Sequence, residues 1–597
     1  MRATFFAMAL ACLLAAEAEA ATQPVDLLLV RGHIYTGDKQ HPWAESVAVA
    51  DGRVIAIGSD RDLAAMRARA KTVRDLGGRT VIPGLVDDHV HPLVAATDLL
   101  GFRCNFSVYS EMEAVLRRVA ECAKTAGPDE WIIGEYWPSI LLPALSTPEA
   151  HAALNKAAAG RPVMLGDDTT HNRWVSSAAM RLAGIDAKTP DPAGGHIVRD
   201  TNGAPLGVFV ERPAAELIDK VTPLAQLTEK VPLGDLIRLS VARLNSYGVT
   251  AFQDARITDV AVGKAYRSLD RSGDLNAQVA LMTMFDGHNL ADPSTVMRTA
   301  AEASAPHVGT MYAKIYLDGV MTTRTAAFVE PYLPGPDGDV CFRGALKMAP
   351  ADLTALVVRL DAMKVTIKFH AAGDAAVREA LDAVQVARIL NGDGGRIHQI
   401  AHAGYVQSDD LERFVPLRVA VDASPTVWFP GPISTATTKQ IGKERAFHYW
   451  PFKTMLEKGV LVAGGTDWKT LPDEQSYVWA GIEGMVTRKD PSHNTPGAMW
   501  PEQAITVEQA ISAYTLGSAT AMGLSDRIGS LEPGKSANLA ILDRDIFSIP
   551  PDRIGATKVL ETIFEGRSVF RAGMEDPVAA AARRLAGDTK NDNRKNK

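Results

Sequence analysis

The sequence predicts an α/β protein centred on a (β/α)8 TIM-like barrel, with a large insertion after the first strand and a small composite β-sandwich built from both chain ends. Two observations predict this fold. Between residues 83 and 524, eight apolar, β-branched runs alternate with helix-like segments, as strand–helix units do around a parallel barrel. At each chain end lie a few short strand-like runs, too few to bury a core separately. A chain of 597 residues is long enough for both parts.

The first twenty residues have the pattern of a cleavable export signal. Arg2 gives a short positive start, the apolar run that follows is too short to span a membrane, and Ala18 and Ala20 are spaced like a cleavage site. We therefore expect residues 1–20 to be removed after Ala20 and the mature protein to be periplasmic or secreted.

The predicted sandwich has an N-terminal part, residues 21–82, and a C-terminal part, residues 525–575. Asp51-Gly52 separates two alternating apolar runs, which is a hairpin signal. A single sandwich made from both parts is the economical interpretation, because neither strand set can bury a core alone. The polar residues 576–597 predict a disordered tail.

The barrel is predicted to span residues 83–524, and its first strand ends at the sequence His89-Val90-His91. The excess length lies at about residues 93–240, after that strand. An insertion there emerges at the C-terminal face of the barrel, where active sites are built, so we interpret it as a lid or substrate-binding subdomain. The other seven strands are expected at residues 249–254, 278–284, 313–318, 365–370, 397–402, 419–424 and 460–467.

Composition narrows the possible partners. The net charge is −7 and no basic cluster occurs before the last residues, so we expect no nucleic-acid partner. Beyond the signal no apolar run reaches the length of about 18 residues that predicts a transmembrane helix.

Three cysteines remain after the signal, and a disulfide between Cys104 and Cys122 is possible because both lie in the insertion. The sequence contains no C-x-x-C pair, so a metal site with thiolate ligands is not expected. The oligomeric state is not readable.

Residues that can bind metals fall at the ends of predicted strands. His89 and His91 lie two apart on a strand, so their imidazoles face the same way. A His-x-His pair alone is a weak signal. In a barrel, however, all C-terminal strand ends surround one cavity, and five strands carry suitable residues there. The predicted set is His89, His91, Lys314, His370, His402 and Asp467.

These residues lie in motifs that, as a set, resemble the metal-dependent amidohydrolase superfamily, and within it the branch that contains N-substituted formamide deformylases. The resemblance covers nearly the whole mature chain. It implies that the four histidines and Asp467 bind metal, that a carbamylated Lys314 bridges two ions, and that Asp467 also serves as the base. The motifs lie at residues 84–91, 314–319, 370–376 and 529–535.

The chemistry fits these residue types. Two divalent ions, with zinc expected and manganese, iron or cobalt as alternatives, lower the pKa of a bridging water so that hydroxide is available near neutral pH. The metal-bridging hydroxide would attack a scissile carbonyl, and Asp467 would take the proton and pass it to the leaving nitrogen.

The substrate itself is not readable, but aromatic residues near the expected cavity mouth favour a small, partly apolar or aromatic molecule. Arg324 follows the fourth strand and could meet a carboxylate or brace its own loop. His171 lies where relatives tend to have Asp-Gly-His, and could reach the substrate or be structural. The candidate substrate contacts are His171, Trp174, Arg324, Trp428 and Trp468.

The sequence therefore predicts an exported, metal-dependent hydrolase of a carbon–nitrogen bond in an amide, N-acyl or N-formyl compound. Hydrolysis of an ester, lactone or cyclic amide at the same site is the first alternative. A binding protein that kept the barrel and lost the chemistry is the second, but binding alone does not need Asp467.

Overall fold

The computed structural model describes residues 24–101, 104–285, 292–335, 338–425, 429–468, 478–577 and 579–580. The expected signal, residues 1–20, lies outside this range, as does most of the expected tail. Within the described residues, no helix combines the length and apolar character needed to cross a membrane.

Eight parallel strands form the central sheet, and every neighbouring pair is hydrogen-bonded in chain order. The first and last strands meet where Asp467 N donates to His89 O at 2.8 Å and His91 N donates to Trp468 O at 2.6 Å, which brings the sheet close to a closed barrel. The strands are buried on both faces, as parallel strands covered by helices must be. They span Leu85–Val90, Val249–Ile257, Gln278–Phe285, Val308–Tyr316, Thr366–His370, His398–Ala401, Val419–Ala423 and Val462–Gly464.

Amphipathic helices cover the outside of this sheet and bury apolar residues three and four positions apart against it. Asp374–Asn391, for example, buries Val377, Leu381 and Val384 on its barrel side. The helices between and after the barrel strands, apart from those of the insertion, span Pro92–Gly101, Leu233–Ser246, Val260–Ser272, Ser294–Ala303, Pro350–Ala362, Asp374–Asn391, Ser408–Leu411, Phe414–Leu417, Pro432–Ile441, Lys443–Phe447, Phe452–Glu457, Val478–Thr487, Val507–Ser512 and Ser518–Ala521.

Two further sheets pack together beside the barrel and join both ends of the chain. Leu539–Leu542 pairs antiparallel with Thr80–Pro83, so one sheet contains strands from both termini. Their shared core includes Val81, Leu539 and Ile563. The predicted fold class is thus confirmed. In order across each sheet, the strands are Arg53–Gly58, Ser46–Ala50, Val25–Val30 and Ala70–Asp75, then Arg567–Arg571, Val559–Phe564, Leu539–Leu542, Thr80–Pro83, His33–Tyr35 and Trp43–Ala44.

The insertion has its own five-stranded sheet and its own apolar cores. A disulfide joins Cys104 to Cys122 across 18 positions, while Cys341 is exposed and free. The exact domain limits stay a sequence prediction. The strands of the insertion span Ile132–Trp137, Val163–Asp167, Arg173–Val175, His196–Arg199 and Pro205–Val210. The helices of the insertion span Met112–Thr125, Leu142–Leu145, Pro148–Ala158, Ser177–Ala183, Arg212–Asp219 and Pro223–Lys230.

Short tighter turns complete the described elements. One π-helical turn, Ala513–Gly517, leads into the helix Ser518–Ala521, and the 3-10 turns span Ala64–Arg69, Ser139–Leu141, Met321–Thr323, Pro501–Gln503 and Pro551–Arg553.

Candidate active site

The ends of the first and last barrel strands are joined by a buried aspartate. Asp87 accepts hydrogen bonds from Thr466 N at 2.9 Å and Thr466 Oγ1 at 2.7 Å, and from His89 N at 3.2 Å. These bonds fix the backbone on either side of the seam. As a result the two histidines of the first strand lie next to Asp467.

His89, His91 and Asp467 form one cluster of possible metal ligands. Asp467 Oδ1 lies 3.1 Å from His91 Nε2 and 3.6 Å from His89 Nε2. One ligand atom from each of the three residues falls within 4.8 Å of the others. Two imidazoles and a carboxylate at this spacing are typical donors for a divalent transition metal.

His370 and His402 form a second group beside the first. Their ring centroids are 4.5 Å apart, and the ring of His402 is 5.1 Å from that of His89. His370 Nε2 lies 3.2 Å from the carbonyl oxygen of Gly319, which leaves the buried Nδ1 atom without a protein partner. A bond from one ring nitrogen to a backbone carbonyl is the usual way to aim the other nitrogen at a metal.

Lys314 lies between the two groups, with Nζ 3.1 Å from His89 Nε2. Its side chain is fully buried. Burial, followed by the nearby charge of Lys368, lowers the pKa of Lys314 to about 7. The amine is therefore available in its neutral form near neutral pH, which is the form that reacts with carbon dioxide.

The imidazoles are also held in their uncharged form. Burial lowers the pKa of His402 to about 4 and that of His91 below its usual value, and it lowers the pKa values of His89 and His370 further. Neutral imidazoles have the free lone pair that metal binding requires.

Asp467 is the anionic member of the set. Burial alone would raise its pKa, but the electrostatic interaction with His89 and the hydrogen bond from His91 outweigh burial and hold the pKa well below its usual range. The backbone of Asp467 has φ 51° and that of His402 has φ 63°, both in the left-handed region. Non-glycine residues held there often mark functional sites.

A buried network supports this site from inside the barrel. Asp422 Oδ2 lies 2.7 Å from both His89 Nδ1 and Lys368 Nζ, and Lys368 Nζ also lies 3.2 Å from Asp88 Oδ2. Asp422 thus fixes the tautomer of His89 and aims Nε2 at the cluster.

The residues of this site have the chemistry that divalent metal ions require. The chain supplies neutral imidazoles, one carboxylate, a neutral buried lysine and, at His370, a buried ring nitrogen whose hydrogen bonding is otherwise unmet. Such an orphan atom is costly unless a ligand satisfies it. The donor set therefore fits divalent ions, and the six sequence-predicted ligands are brought together.

A cavity of about 1130 Å³ opens over this cluster. Its walls come from the C-terminal ends of the barrel strands and from the insertion, so the insertion covers the site as its position in the sequence suggested. His171 and Arg324 line the cavity. Arg324 Nη1 also donates to Leu333 O at 2.6 Å, and its guanidinium stacks on Tyr332 and Phe342, which braces its loop.

Two of the tryptophans suggested as substrate contacts, Trp174 and Trp468, lie elsewhere. Trp174 is fully buried in the core of the insertion, and Trp468 is buried in the barrel core. Neither lines the cavity, because their large rings fill apolar interiors instead. Trp428 lies outside the described residues.

Sequence reasoning missed three residues that contact the site residues. Lys368 lies two positions before His370 and so shares its face of the strand, a signal that could have identified it. Asp422 is the single acidic residue of the seventh strand, Val419–Ala423, whose other residues are apolar. Glu211, which lies 3.0 Å from His171, follows a strand of the insertion and had no such signal.

Comparisons with known proteins agree with this geometry. A family model described as "Amidohydrolase family" matches residues 72–570. The chain is 26% identical over 565 residues to the N-substituted formamide deformylase of Arthrobacter pascens, covering 91% of this chain and 98% of that protein. It is also 26% identical over 562 residues to the protein LONG AFTER FAR-RED 3 of Arabidopsis thaliana, covering 91% of each.

Solved structures share the fold. An uncharacterized metal-dependent hydrolase from Pyrococcus horikoshii OT3 superposes with a TM-score of 0.65 at 21% identity, covering 88% of this chain and 99% of that one. Because the family model matches most of its length, the chain belongs to the amidohydrolase family and is a metal-dependent hydrolase that acts on carbon–nitrogen bonds.

Proposed function

We propose that this hydrolase is exported and cleaves the C–N bond of a small amide, N-acyl or N-formyl compound with the help of two divalent ions. The observation that carries the proposal is the convergence of six ligand-type side chains from five barrel strands next to one large cavity. Four of the six line that cavity, namely His91, His370, His402 and Asp467. Chain-distant residues rarely assemble such a donor set without a metal to bind.

The ligands divide into two groups with a lysine between them. His89, His91 and Asp467 would hold one ion, and His370 and His402 the other. The neutral amine of Lys314 supports carbamylation, which would turn the lysine into an anion able to bridge both ions. Zinc is the proposed metal because imidazole and carboxylate ligands suit it, with manganese, iron or cobalt as alternatives.

The bound ions would supply two effects, polarisation of the scissile carbonyl and a nucleophile derived from water at neutral pH. The chain itself supplies the proton acceptor and the geometry. The Asp467 carboxylate, anionic across the physiological range, takes a proton from the attacking water. Asp422 holds His89 in place, and the insertion limits the access of bulk water to the reacting atoms.

The walls of the cavity support a partly apolar substrate. Met164 of the insertion and Met284, Phe342 and Ile433 of the barrel and its loops line it alongside charged residues. Mixed linings of this kind suit a small molecule with an apolar or aromatic group and a few polar atoms. The relative named as a formamide deformylase supports an N-formyl or N-acyl compound.

Export is proposed from two features. The N-terminal sequence has the order of a cleavable signal. The disulfide between Cys104 and Cys122 is typical of proteins that fold in an oxidising compartment. Expression of the full chain, followed by N-terminal sequencing of the periplasmic or secreted protein, tests this; a protein that starts at Met1 in the cytoplasm would contradict it.

The activity is tested with metal-loaded protein on paired substrates that share one apolar group, such as N-benzylformamide, N-benzylacetamide and benzyl acetate. We expect faster turnover of the amides, and loss of that turnover in Asp467→Asn. Asp361→Asn is the matched control, since Asp361 is also a buried carboxylate beside a histidine, His398, but lies away from the site. Preferred ester turnover, or equal rates for wild type and Asp467→Asn, would overturn the proposal.

A further inference from the structure

A histidine–carboxylate pair of the insertion lies over the metal-ligand imidazoles. His171 Nδ1 is 3.0 Å from Glu211 Oε2, and both side chains are almost fully buried. The ring centroid of His171 is 6.3 Å from that of His370, and no hydrogen bond joins the two rings. Both rings line the same cavity, so His171 faces the space in which a substrate bound at the site must lie.

Glu211 is fixed by residues from the other side of the cavity. Its Oε1 accepts hydrogen bonds from Thr325 Oγ1 at 2.5 Å and Thr323 Oγ1 at 3.3 Å, and Lys347 Nζ lies 3.4 Å from Oε2. These three residues follow the fourth barrel strand, whereas Glu211 and His171 belong to the insertion. The carboxylate thus fastens the insertion to the barrel and orients His171 in the same contact.

The backbone of Glu211 is itself unusual. Its φ of 69° and ψ of 156° lie in a region that is almost restricted to glycine. A residue with a side chain is strained in this region, and such strained residues cluster at functional sites. Burial opposes ionisation, but His171, Lys347 and Thr325 together hold the pKa of Glu211 well below its usual range.

The hydrogen bond to Glu211 determines what His171 can do. An anionic acceptor at Nδ1 keeps a proton on that nitrogen and fixes the orientation of the ring. Nε2 has no hydrogen-bond partner within the described part of the chain, and it is the nitrogen left for the substrate. Asp467, by contrast, is already engaged by His91 and His89.

We infer that His171 is a second catalytic residue, which donates a proton from Nε2 to the leaving nitrogen, and that Glu211 is its positioning residue. This inference rests on the proposed hydrolysis of an amide. From the sequence alone, both proton transfers were assigned to Asp467. The inference leaves Asp467 as the proton acceptor and assigns the donation to His171.

Asp467 takes one proton from the attacking water, and the water oxygen bonds to the carbonyl carbon. When the C–N bond breaks, its electron pair stays on nitrogen, which takes the proton from His171 Nε2. Asp467 then releases its proton to solvent and His171 recovers one from solvent, so that one water molecule is consumed for each bond cleaved.

The test compares leaving groups that differ in their need for a proton. An alkylamine cannot leave as an anion, whereas phenoxide can. We expect His171→Asn to lower kcat/KM for N-benzylformamide by 10² to 10⁴-fold, the usual contribution of a proton donor, and for phenyl formate by less than about tenfold. Glu211→Gln should show the same selectivity with a smaller loss. The matched control is His151→Asn, because His151 is also a histidine of the insertion whose ring contacts a polar side chain, Ser177, but it does not line the cavity. It should change neither rate.

Equal losses on both substrates would assign His171 a structural role, and no loss on either would remove it from the site; both results overturn the inference. A wild type that cleaves phenyl formate but no amide would instead overturn the proposed function. In that case benzylamine, the product-like probe, still tests the pair by calorimetry. A Kd raised about fivefold or more in His171→Asn alone supports His171 facing the leaving nitrogen, and an unchanged Kd contradicts it.

Discussion

His89 Nδ1 lies 2.7 Å from Asp422 Oδ2, although the two residues are 333 positions apart in the chain. The first and seventh barrel strands bring them together inside the barrel, where neither is accessible to solvent. The bond leaves His89 Nε2 facing Lys314 and Asp467. The orientation of a proposed metal ligand therefore depends on a carboxylate that is not part of the proposed ligand set.

Replacing Asp422 by Asn should weaken metal binding about 10- to 100-fold, because partners that orient a ligand typically contribute that much. Competition with a chromogenic chelator measures the affinity. Asp361→Asn removes a comparable buried carboxylate from His398 and should leave metal affinity unchanged. An Asp422→Asn variant that folds and binds metal like wild type would show that His89 needs no such partner.

Lys314→Ala should lose one ion and most of the activity, because the proposed bridge is removed. Added short carboxylic acids should restore part of the activity by occupying the vacated space between the ions. Lys264→Ala, which removes an outer-helix lysine paired with Glu302, is the control and should behave like wild type. Unchanged activity of Lys314→Ala without any added acid would exclude the carbamylated bridge.

The sequence predicted the barrel and the six candidate ligands because both depend on local patterns. Apolar runs end in residues such as His370 and His402, and in a parallel barrel strand ends must converge. The residues that contact those ligands are harder to predict. Glu211 lies in a strained connection of the insertion, and only the folded insertion brings it to His171. Trp174 and Trp468 were predicted to contact the substrate but are buried in apolar cores, because an aromatic residue that is near a site in sequence can equally well pack into a core.

The disulfide between Cys104 and Cys122 should stabilise the insertion. It closes a loop of 18 positions, and chain-entropy arguments give about 3 kcal/mol for a loop of that size. We expect reduction, or replacement of both cysteines by Ser, to make the insertion more sensitive to limited proteolysis and to lower its unfolding temperature. Replacing the exposed Cys341 by Ser should have no such effect. Identical proteolysis of oxidised and reduced protein would contradict this prediction.

His307 should make the stability of the protein depend on pH. Hydrogen bonds to Glu565, in the C-terminal sandwich part, and to Asp270 raise the pKa of His307 above its usual value near 6.5. The protonated ring therefore contributes stability that is fully present below about pH 6.5 and is lost as the pH rises through the raised pKa. The contribution is about 1 kcal/mol after allowance for solvent screening.

Urea unfolding of wild type and His307→Gln checks this contribution. The difference in free energy of unfolding should be largest near pH 5.5 and should shrink at pH 9. A difference that does not change between these two values, or that grows with pH, would contradict the assignment.

The metal content of the purified protein, measured after loading with zinc and dialysis, decides whether the site holds two ions. Two ligand groups predict about two divalent ions per chain, and about one in His370→Ala, which keeps His89, His91 and Asp467 intact. Wild-type protein that holds clearly less than one ion per chain, and takes up neither zinc nor manganese when they are added, would contradict the assignment of this site as a two-metal centre.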